Sequence, residues 1–261
     1  MIMSNIKPNI LIFDIETSPC MADVWGLWNN NVGLNQLRKS GHIMSFVVKW
    51  LGDDKITYVE SRTANDKRLV AKLHKFIDKA DIVIAHNGKK FDMGWFRGRA
   101  AIHGMTPPSP VKVIDTLLTA RSQFQFPSNK LEYLLKVFGC TNKLSHKKFA
   151  GHTLWTECLA GNPEAWEEMR EYNIIDVTAL EELYIKMIPW IPNHPNMGIF
   201  SDLGEEACTK CGSGRVTKRG MAISSVGKYQ RYQCNDCGGW SQGKTNLLGK
   251  DARKVLLRNA V

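Results

Sequence analysis

Residues 9–16 read Asn9-Ile-Leu-Ile-Phe-Asp14-Ile-Glu16. Four consecutive apolar residues predict a short strand buried on both faces. Two carboxylates end it, two positions apart. On a strand that spacing puts both side chains on one face. Like charges held together repel, and burying them unpaired is costly. A hard divalent cation removes that cost, because Mg²⁺ and Mn²⁺ prefer carboxylate oxygen. By itself an Asp-x-Glu pair is a weak signal, because many strands end in two acids that are simply solvated.

Around this strand the pattern alternates between strands and helices. Residues 43–51 (IMSFVVKWL) predict a second strand, and Gly52, Asp53 and Asp54 a hairpin turn into a third at 56–60. Residues 66–79 place Leu69, Val70, Leu73, Phe76 and Ile77 at helical spacing. Residues 81–85 (DIVIA) predict another buried strand, 91–103 a helix, 111–114 a strand and 131–138 a helix. A long helical pattern covers 162–187 and starts near Pro163, a residue suited to a first helical turn. This mixture predicts an α/β domain over residues 1–190. Pro189, Pro192 and Pro195 break the helix, so 191–206 reads as a linker and 207–261 as a separate module.

The 261 residues suffice for a large domain plus a small module, with a core that needs no disulfides. No apolar run approaches the ~18–20 residues of a membrane span, and the N-terminus has no apolar signal core. The expectation is a cytoplasmic protein, of a bacterial or phage-infected cell, with no membrane partner. Net charge is +10. From residue 207 onward eleven Lys and Arg face two acids, Asp236 and Asp251; the preceding 206 residues are almost neutral. The excess positive charge is therefore concentrated in the tail, where a polyanion would bind.

The tail also holds Cys208-x-x-Cys211 and, after 22 residues, Cys234-x-x-Cys237. Paired CxxC units at this spacing predict a tetrahedral Zn²⁺ site, structural because four thiolates leave no open position. The basic residues, Arg231 among them, interleave with Tyr229, Tyr232 and Trp240, as in single-strand platforms. A protein-docking role remains the alternative. Short strands are expected at 216–218 and 229–233. Cys20, Cys140 and Cys158 read as free, mostly buried thiols.

Two further groups bear on chemistry. Asn87-Gly-Lys-Lys-Phe91-Asp92 follows the strand at 81–85 and sets an amide and a carboxylate at its C-terminal end, where open α/β sheets bind ligands. A plain turn with Asp92 as helix N-cap is the competing reading. Tyr172-x-x-x-Asp176 puts a phenol and a carboxylate on one helix face.

Taken in order, Asp14-x-Glu16, Asn87-x-x-x-Phe91-Asp92 and Tyr172-x-x-x-Asp176 resemble the three exonuclease motifs of the DnaQ-like superfamily, which has a ribonuclease H-like fold. The Tyr form resembles the DEDDy branch, that of the exonuclease domains of family A and B DNA polymerases. The resemblance spans residues ~9–188, and Ile114-Asp115-Thr116 with Lys130-Leu-Glu-Tyr-Leu-Leu fits its linking segment. It implies a mixed sheet flanked by helices and a 3′–5′ exonuclease releasing nucleoside 5′-monophosphates from DNA, with single strands favoured. It implies two Mg²⁺ or Mn²⁺ ions. One is held by Asp14, Glu16 and Asp176; Asp14 reaches the other, with Asp92 binding through water. Tyr172 orients the attacking water. Thr17, Asn87, Phe91 and Lys90 contact the substrate. No polymerase follows in this chain, so proofreading, if that is the role, would act in trans with a polymerase or repair protein. The cysteine segment resembles the zinc ribbons of transposases and other DNA-associated proteins.

An exoribonuclease, a structure-specific endonuclease and an inactive nucleic-acid-binding or recruitment protein stay open as alternatives. Trp25 and Trp28 read as core or hairpin aromatics, with base stacking as the alternative. Lys89, Lys90, Arg97 and Arg99 surround Asp92 and suit phosphates; a solvated helix face suits Arg97 and Arg99 as well. His86 and His152 read as structural.

Overall fold

The computed structural model describes residues 7–141, 148–201 and 205–258. Residues 1–6 of the polar N-terminus and 202–204 of the expected linker lie outside the described residues. The chain divides into two compact units, one spanning Asn9–Tyr184 and the other taking in the chain from Ile185 onward.

The first unit runs through β1 (Ile10–Thr17), β2 (Met21–Ala22), β3 (Leu37–Lys39), β4 (Ile43–Trp50), β5 (Ile56–Glu60), α1 (Lys67–Lys79), β6 (Ile82–Ala85), α2 (Asp92–Ile102), β7 (Lys112–Asp115), α3 (Thr116–Gln123), α4 (Leu131–Val137), α5 (Thr153–Leu159) and α6 (Pro163–Met187). Five strands form one sheet in the order β5-β4-β1-β6-β7. The tight turn after β4 makes β4 and β5 antiparallel, and β4 is also antiparallel to β1. β6 lies parallel to β1, and β7 parallel to β6 by way of the helical crossover α2. β1 is therefore the middle strand, which explains its continuous apolar run.

Both faces of β1 are covered. Leu11, Phe13 and Ile15 pack with Leu69, Val70, Leu73 and Ile77 of α1 and with Met93, Phe96 and Ala100 of α2. Fully burying each of these side chains other than that of Ala100 contributes roughly 1.5–3 kcal/mol. On the other side Met44 of β4 packs with Trp166 and Met169 of α6. The α6 face that continues toward the C-terminal end of β1 carries Asn173 and Asp176, both buried.

Three expectations are corrected here. Arg99 is not on a solvated face: it is 7 % exposed and clamps the fully buried Asp66 through Nε at 2.8 Å and Nη2 at 2.7 Å. The positions 92, 96, 99 and 103 form the core stripe of the helix, so Arg99 points inward with its counter-ion. Trp25 and Trp28 are not core aromatics; they are 100 % and 86 % exposed. They lie beyond the end of the short β2–β3 ribbon, which pairs only Met21 with Lys39 and Ala22 with Leu37. Of the three lone cysteines only Cys158 is buried; Cys20 is exposed and Cys140 half-buried.

The second unit contains β8 (Val216–Ser224), β9 (Gly227–Cys234), β10 (Trp240–Gln242) and α7 (Lys250–Lys254). The strands form an antiparallel sheet in the order β10-β9-β8, and the first two are longer than their sequence patterns predict. Cross-strand pairing extends β8 through Met221, Ala222 and Ile223, mostly exposed positions with no alternation of buried and exposed residues to mark a strand. The 191–206 segment is fastened to the cysteine turn. Met197 N donates to Thr209 O at 3.0 Å, and the Lys210 ammonium donates to the carbonyls of Ile191 and Pro192. No helix among the described residues is long and apolar enough to cross a membrane.

Candidate active site

The C-terminal half of β1 carries Asp14 and Glu16 on the face turned toward α6. One carboxylate oxygen from each, with one from Asp176, lie within 4.8 Å of one another. Asp92 opens α2 beside them, 2 % exposed, and its Oδ1 accepts from the Ile15 amide at 3.2 Å. It anchors to the β1 backbone and is not one of the three clustered carboxylates. Tyr172, one helical turn before Asp176, donates its hydroxyl to that carboxylate. The structure thus brings Asp14, Glu16, Asp92, Tyr172 and Asp176 together.

The electrostatics follow from burial and crowding. Burial pushes the Glu16 carboxyl up to about 8, aided by repulsion from Asp176 and opposed by the Trp155 hydrogen bond. Burial also pushes Asp92 and Asp176 up to about 7. Asp14 is raised well above the carboxylate range by burial and by Asp92, Glu16 and Asp176. No Lys or Arg among the described residues forms an ion pair with any of the four. Asp176 Oδ1 is buried and without a hydrogen-bond partner. An all-oxygen donor set, a surplus of buried negative charge and an orphaned carboxylate oxygen fit a hard divalent cation.

Three residues that sequence reading did not single out hold the acids in place. Asn173, fully buried, donates Nδ2 to Asp14 Oδ2 at 2.7 Å. Ser45, opposite Glu16 across the β1–β4 ladder, donates its hydroxyl to Asn173 Oδ1 at 3.2 Å. Trp155 of α5 donates Nε1 to Glu16 Oε2 at 3.1 Å and packs edge-on against Tyr172, the ring centroids 6.2 Å apart. Asn173 had a usable signal, sitting three residues before Asp176 on the same helix face. Trp155 had none, because α5 is joined to the site only by folding.

The loop between β6 and α2 is set by Asp115. Its Oδ1 accepts from the amides of Asn87 at 3.0 Å and Leu117 at 3.0 Å, and its Oδ2 from Lys89 at 3.0 Å. Asn87 has φ +62°, a conformation Asn tolerates better than most residues. At Gly88 a Cβ would lie 2.1 Å from the Ala85 Cβ, so no side chain fits. This clamp presents Asn87, Lys90 and Phe91 at the head of α2, with Lys90 and Phe91 exposed. Thr17 ends β1 next to Glu16, half-buried. His86 has a structural role, with Nδ1 2.9 Å from Thr116 Oγ1. His152 precedes α5 and bonds no carboxylate in the centre.

Arg231 belongs to the second unit. Its guanidinium lies 5.5 Å from the Trp240 ring centroid, with Arg219 at 5.9 Å from the same ring. Below this sheet the four thiols of Cys208, Cys211, Cys234 and Cys237 lie within 4.8 Å of one another. Cys208 and Cys237 Sγ are 3.6 Å apart, as are Cys211 and Cys234. A tetrahedron with Zn–S bonds of ~2.3 Å has edges of roughly 3.8 Å, which these separations fit. The amides of Lys210 and Gly239 donate to the Cys208 and Cys237 sulfurs, as suits thiolates. The donor set and spacing are those of a zinc ribbon.

The sequence profile of the RNase_H superfamily matches residues 32–188. The match begins after β1, so Asp14 and Glu16 lie outside it, and Asp92, Tyr172 and Asp176 inside. Among solved structures, the family B DNA polymerase from the hyperthermophilic archaeon Pyrobaculum calidifontis superposes with a TM-score of 0.54 at 18% identity. The likeness covers 70% of this chain and 25% of the polymerase. The two share a fold, and this chain corresponds to about a quarter of the polymerase's length. No curated protein sequence matches the chain.

Proposed function

The chain belongs to the RNase_H superfamily, and from that membership and its acidic centre we propose that it is a metal-dependent 3′–5′ exonuclease of the DEDDy type. Its substrate is DNA, single-stranded by preference, and its products are nucleoside 5′-monophosphates. The observation that carries the reading is the meeting of Asp14, Glu16 and Asp176 within 4.8 Å, with Asp92 and Tyr172 beside them.

Asp14, Glu16 and Asp176 are the residues to hold Mg²⁺ or Mn²⁺, and Asp92 assists at a second ion. Bound divalent ions supply a nucleophile at neutral pH and stabilise the charge of an in-line phosphodiester displacement. The chain's own residues do the positioning. Asn173 and Trp155 each fix one carboxylate oxygen, leaving the others to face the site. The Tyr172 hydroxyl is held protonated by burial and by the neighbouring carboxylates; its one proton goes to Asp176, so its oxygen is left to accept from, and so orient, the attacking water. Asn87, Phe91, Lys90 and Thr17 border the centre where the terminal nucleotide would lie. The ribbon, with Zn²⁺ on its four cysteines, adds salt-sensitive affinity through its cations. We assign residues 1–190 to the nuclease, 191–206 to the connection and 207–261 to the ribbon.

The test is a denaturing-gel time course with 5′-labelled linear single-stranded DNA, the matching RNA and a circular DNA, with Mg²⁺, Mn²⁺ or EDTA. An EDTA-sensitive ladder from the 3′ end, with the circle intact, is expected. Faster loss of RNA would reassign the substrate. Nicking of the circle would make the enzyme an endonuclease. Tight binding without cleavage would replace the catalytic reading with a recruitment role.

A further inference from the structure

A cavity of about 770 Å³ opens in the first unit at Ser18, just past the end of β1. Its walls come from the β2–β3 ribbon, the segment after β5 and the end of α5. None of Asp14, Glu16, Asp92, Tyr172 or Asp176 lines it. A cavity of this size suits a small organic ligand. Its polar part is built on His42, which is 8 % exposed. The Ser18 Oγ accepts from the His42 amide at 3.0 Å and lies 2.8 Å from Nδ1. The Ser18 hydroxyl proton is thus left for Nδ1, and Nε2 carries the ring proton. Among the described residues Nε2 has no hydrogen-bond partner, although the ring is more than nine-tenths buried. A buried donor without a partner is costly unless a ligand accepts from it.

Positive charge surrounds this donor. Lys39, exposed at the end of β3, pairs with no carboxylate among the described residues. Arg62 gives Nε to Glu60 at 2.6 Å, which leaves its two terminal nitrogens, and its guanidinium is steadied 5.6 Å from the Trp166 ring centroid. No Asp or Glu lines the cavity. The rest of the wall includes the apolar side chains of Met21 and Leu159, which are 52 % and 46 % exposed.

We propose that this cavity binds a free nucleoside 5′-monophosphate. The phosphate accepts from His42 Nε2 and lies against Lys39 and Arg62, and the base covers Met21 and Leu159. A phosphate monoester carries nearly two negative charges at neutral pH, which suits a buried donor flanked by two cations with no lining acid. A smaller phosphate ester would leave the apolar wall uncovered. The product of the proposed nuclease belongs to this ligand class; only that link rests on the exonuclease reading.

The test is isothermal titration calorimetry on the full chain without Mg²⁺ or Mn²⁺, where the bare acidic centre repels phosphate. Thymidine 5′-monophosphate should bind one to one. Inorganic phosphate and thymidine should each bind at least about tenfold more weakly, since each lacks one half of the contacts. Lys39→Glu, at an exposed strand end, should weaken nucleotide binding by about tenfold or more and leave the melting temperature unchanged. Lys72→Glu, the same charge change on α1, should leave the affinity unaltered. Absence of binding, equal affinity for phosphate and nucleotide, or wild-type affinity in Lys39→Glu overturns the proposal. Displacement of the nucleotide by a 12-nucleotide strand with a blocked 3′ end also overturns it, because the cavity would then hold a strand.

A second readout locates the ligand. Irradiated 4-thiothymidine 5′-monophosphate should label residues 156–160, and excess thymidine 5′-monophosphate should prevent it. Label confined to the ribbon, or to residues of the acidic centre, would overturn the cavity as the site. Binding and labelling in a protein that cleaves no nucleic acid would leave the cavity standing and remove the nuclease reading; cleavage without binding would do the reverse.

Discussion

Asn173 donates to Asp14 Oδ2 at 2.7 Å and receives the Ser45 hydroxyl at 3.2 Å from within a fully buried position. Alanine there would strand two buried polar groups at once. Residues that orient ligating side chains change metal affinity or activity by about 10–100-fold when removed. Asn173→Ala should therefore raise the Mn²⁺ concentration for half-maximal cleavage by about tenfold or more; an unchanged Mn²⁺ titration would remove Asn173 from the metal centre. At the same scale Tyr172→Phe keeps the ring against Trp155 and loses only the donor to Asp176. It should lower kcat by about 10²-fold while leaving the Mn²⁺ dependence near that of the wild type. A fall in Mn²⁺ affinity instead would make Tyr172 a support of the carboxylate and not of the water.

Among the elements, α2 is fixed at both ends by buried carboxylates. At one end Asp115 holds the loop that leads into it; at the other Asp66 receives Arg99 twice, His103 at 2.6 Å and the Ile43 amide at 2.9 Å. Burial raises the Asp66 carboxyl, but these hydrogen bonds outweigh it and hold it below the usual range. A depressed pKa contributes stability that is present above the unfolded value near 4 and is lost as pH falls through the folded value. Asp66→Asn should cost about 3–5 kcal/mol, because Arg99 is left buried and unpaired, and it should flatten the acid limb of the stability curve. A loss below about 1 kcal/mol in urea denaturation would mean that the pair is worth no more than a surface contact. The helix was legible in sequence, while the inward direction of Arg99 was not. An arginine in an amphipathic pattern reads as solvated unless its partner is known, and Asp66 lies 33 residues away.

For the whole molecule, the four raised carboxyls tie stability to pH and metal. A folded pKa above the unfolded one, as for Glu16 at about 8 against 4.5, means that stability is greatest below the unfolded value and is lost as pH rises toward the folded one. Without divalent ions the melting temperature should fall between about pH 4.5 and 8, and saturating Mg²⁺ should remove that slope. A flat metal-free profile would show that the acids are solvated and not buried. The four-cysteine unit would depend on a metal differently. From Val216 onward the only buried residues among those described are Gly227, Cys234 and Gly239, so no hydrophobic core holds the sheet. Zinc chelation should unfold it and expose four further thiols to titration; thiol counts unchanged by chelation would leave the cysteines without a structural ion. The sequence by itself determined the central buried strand, the α/β alternation, the four-cysteine spacing and the order of the acidic motifs. These are local properties, set by periodicity and by residue types a few positions apart. The tertiary structure alone decided that Ser45, Asn173 and Trp155 hold the carboxylates, that Arg99 turns inward, and that His42 lines a cavity walled by β2, β3 and α5. Each of those depends on contacts between segments far apart in the chain, and burial, which sets their energetics, exists only once those segments have packed.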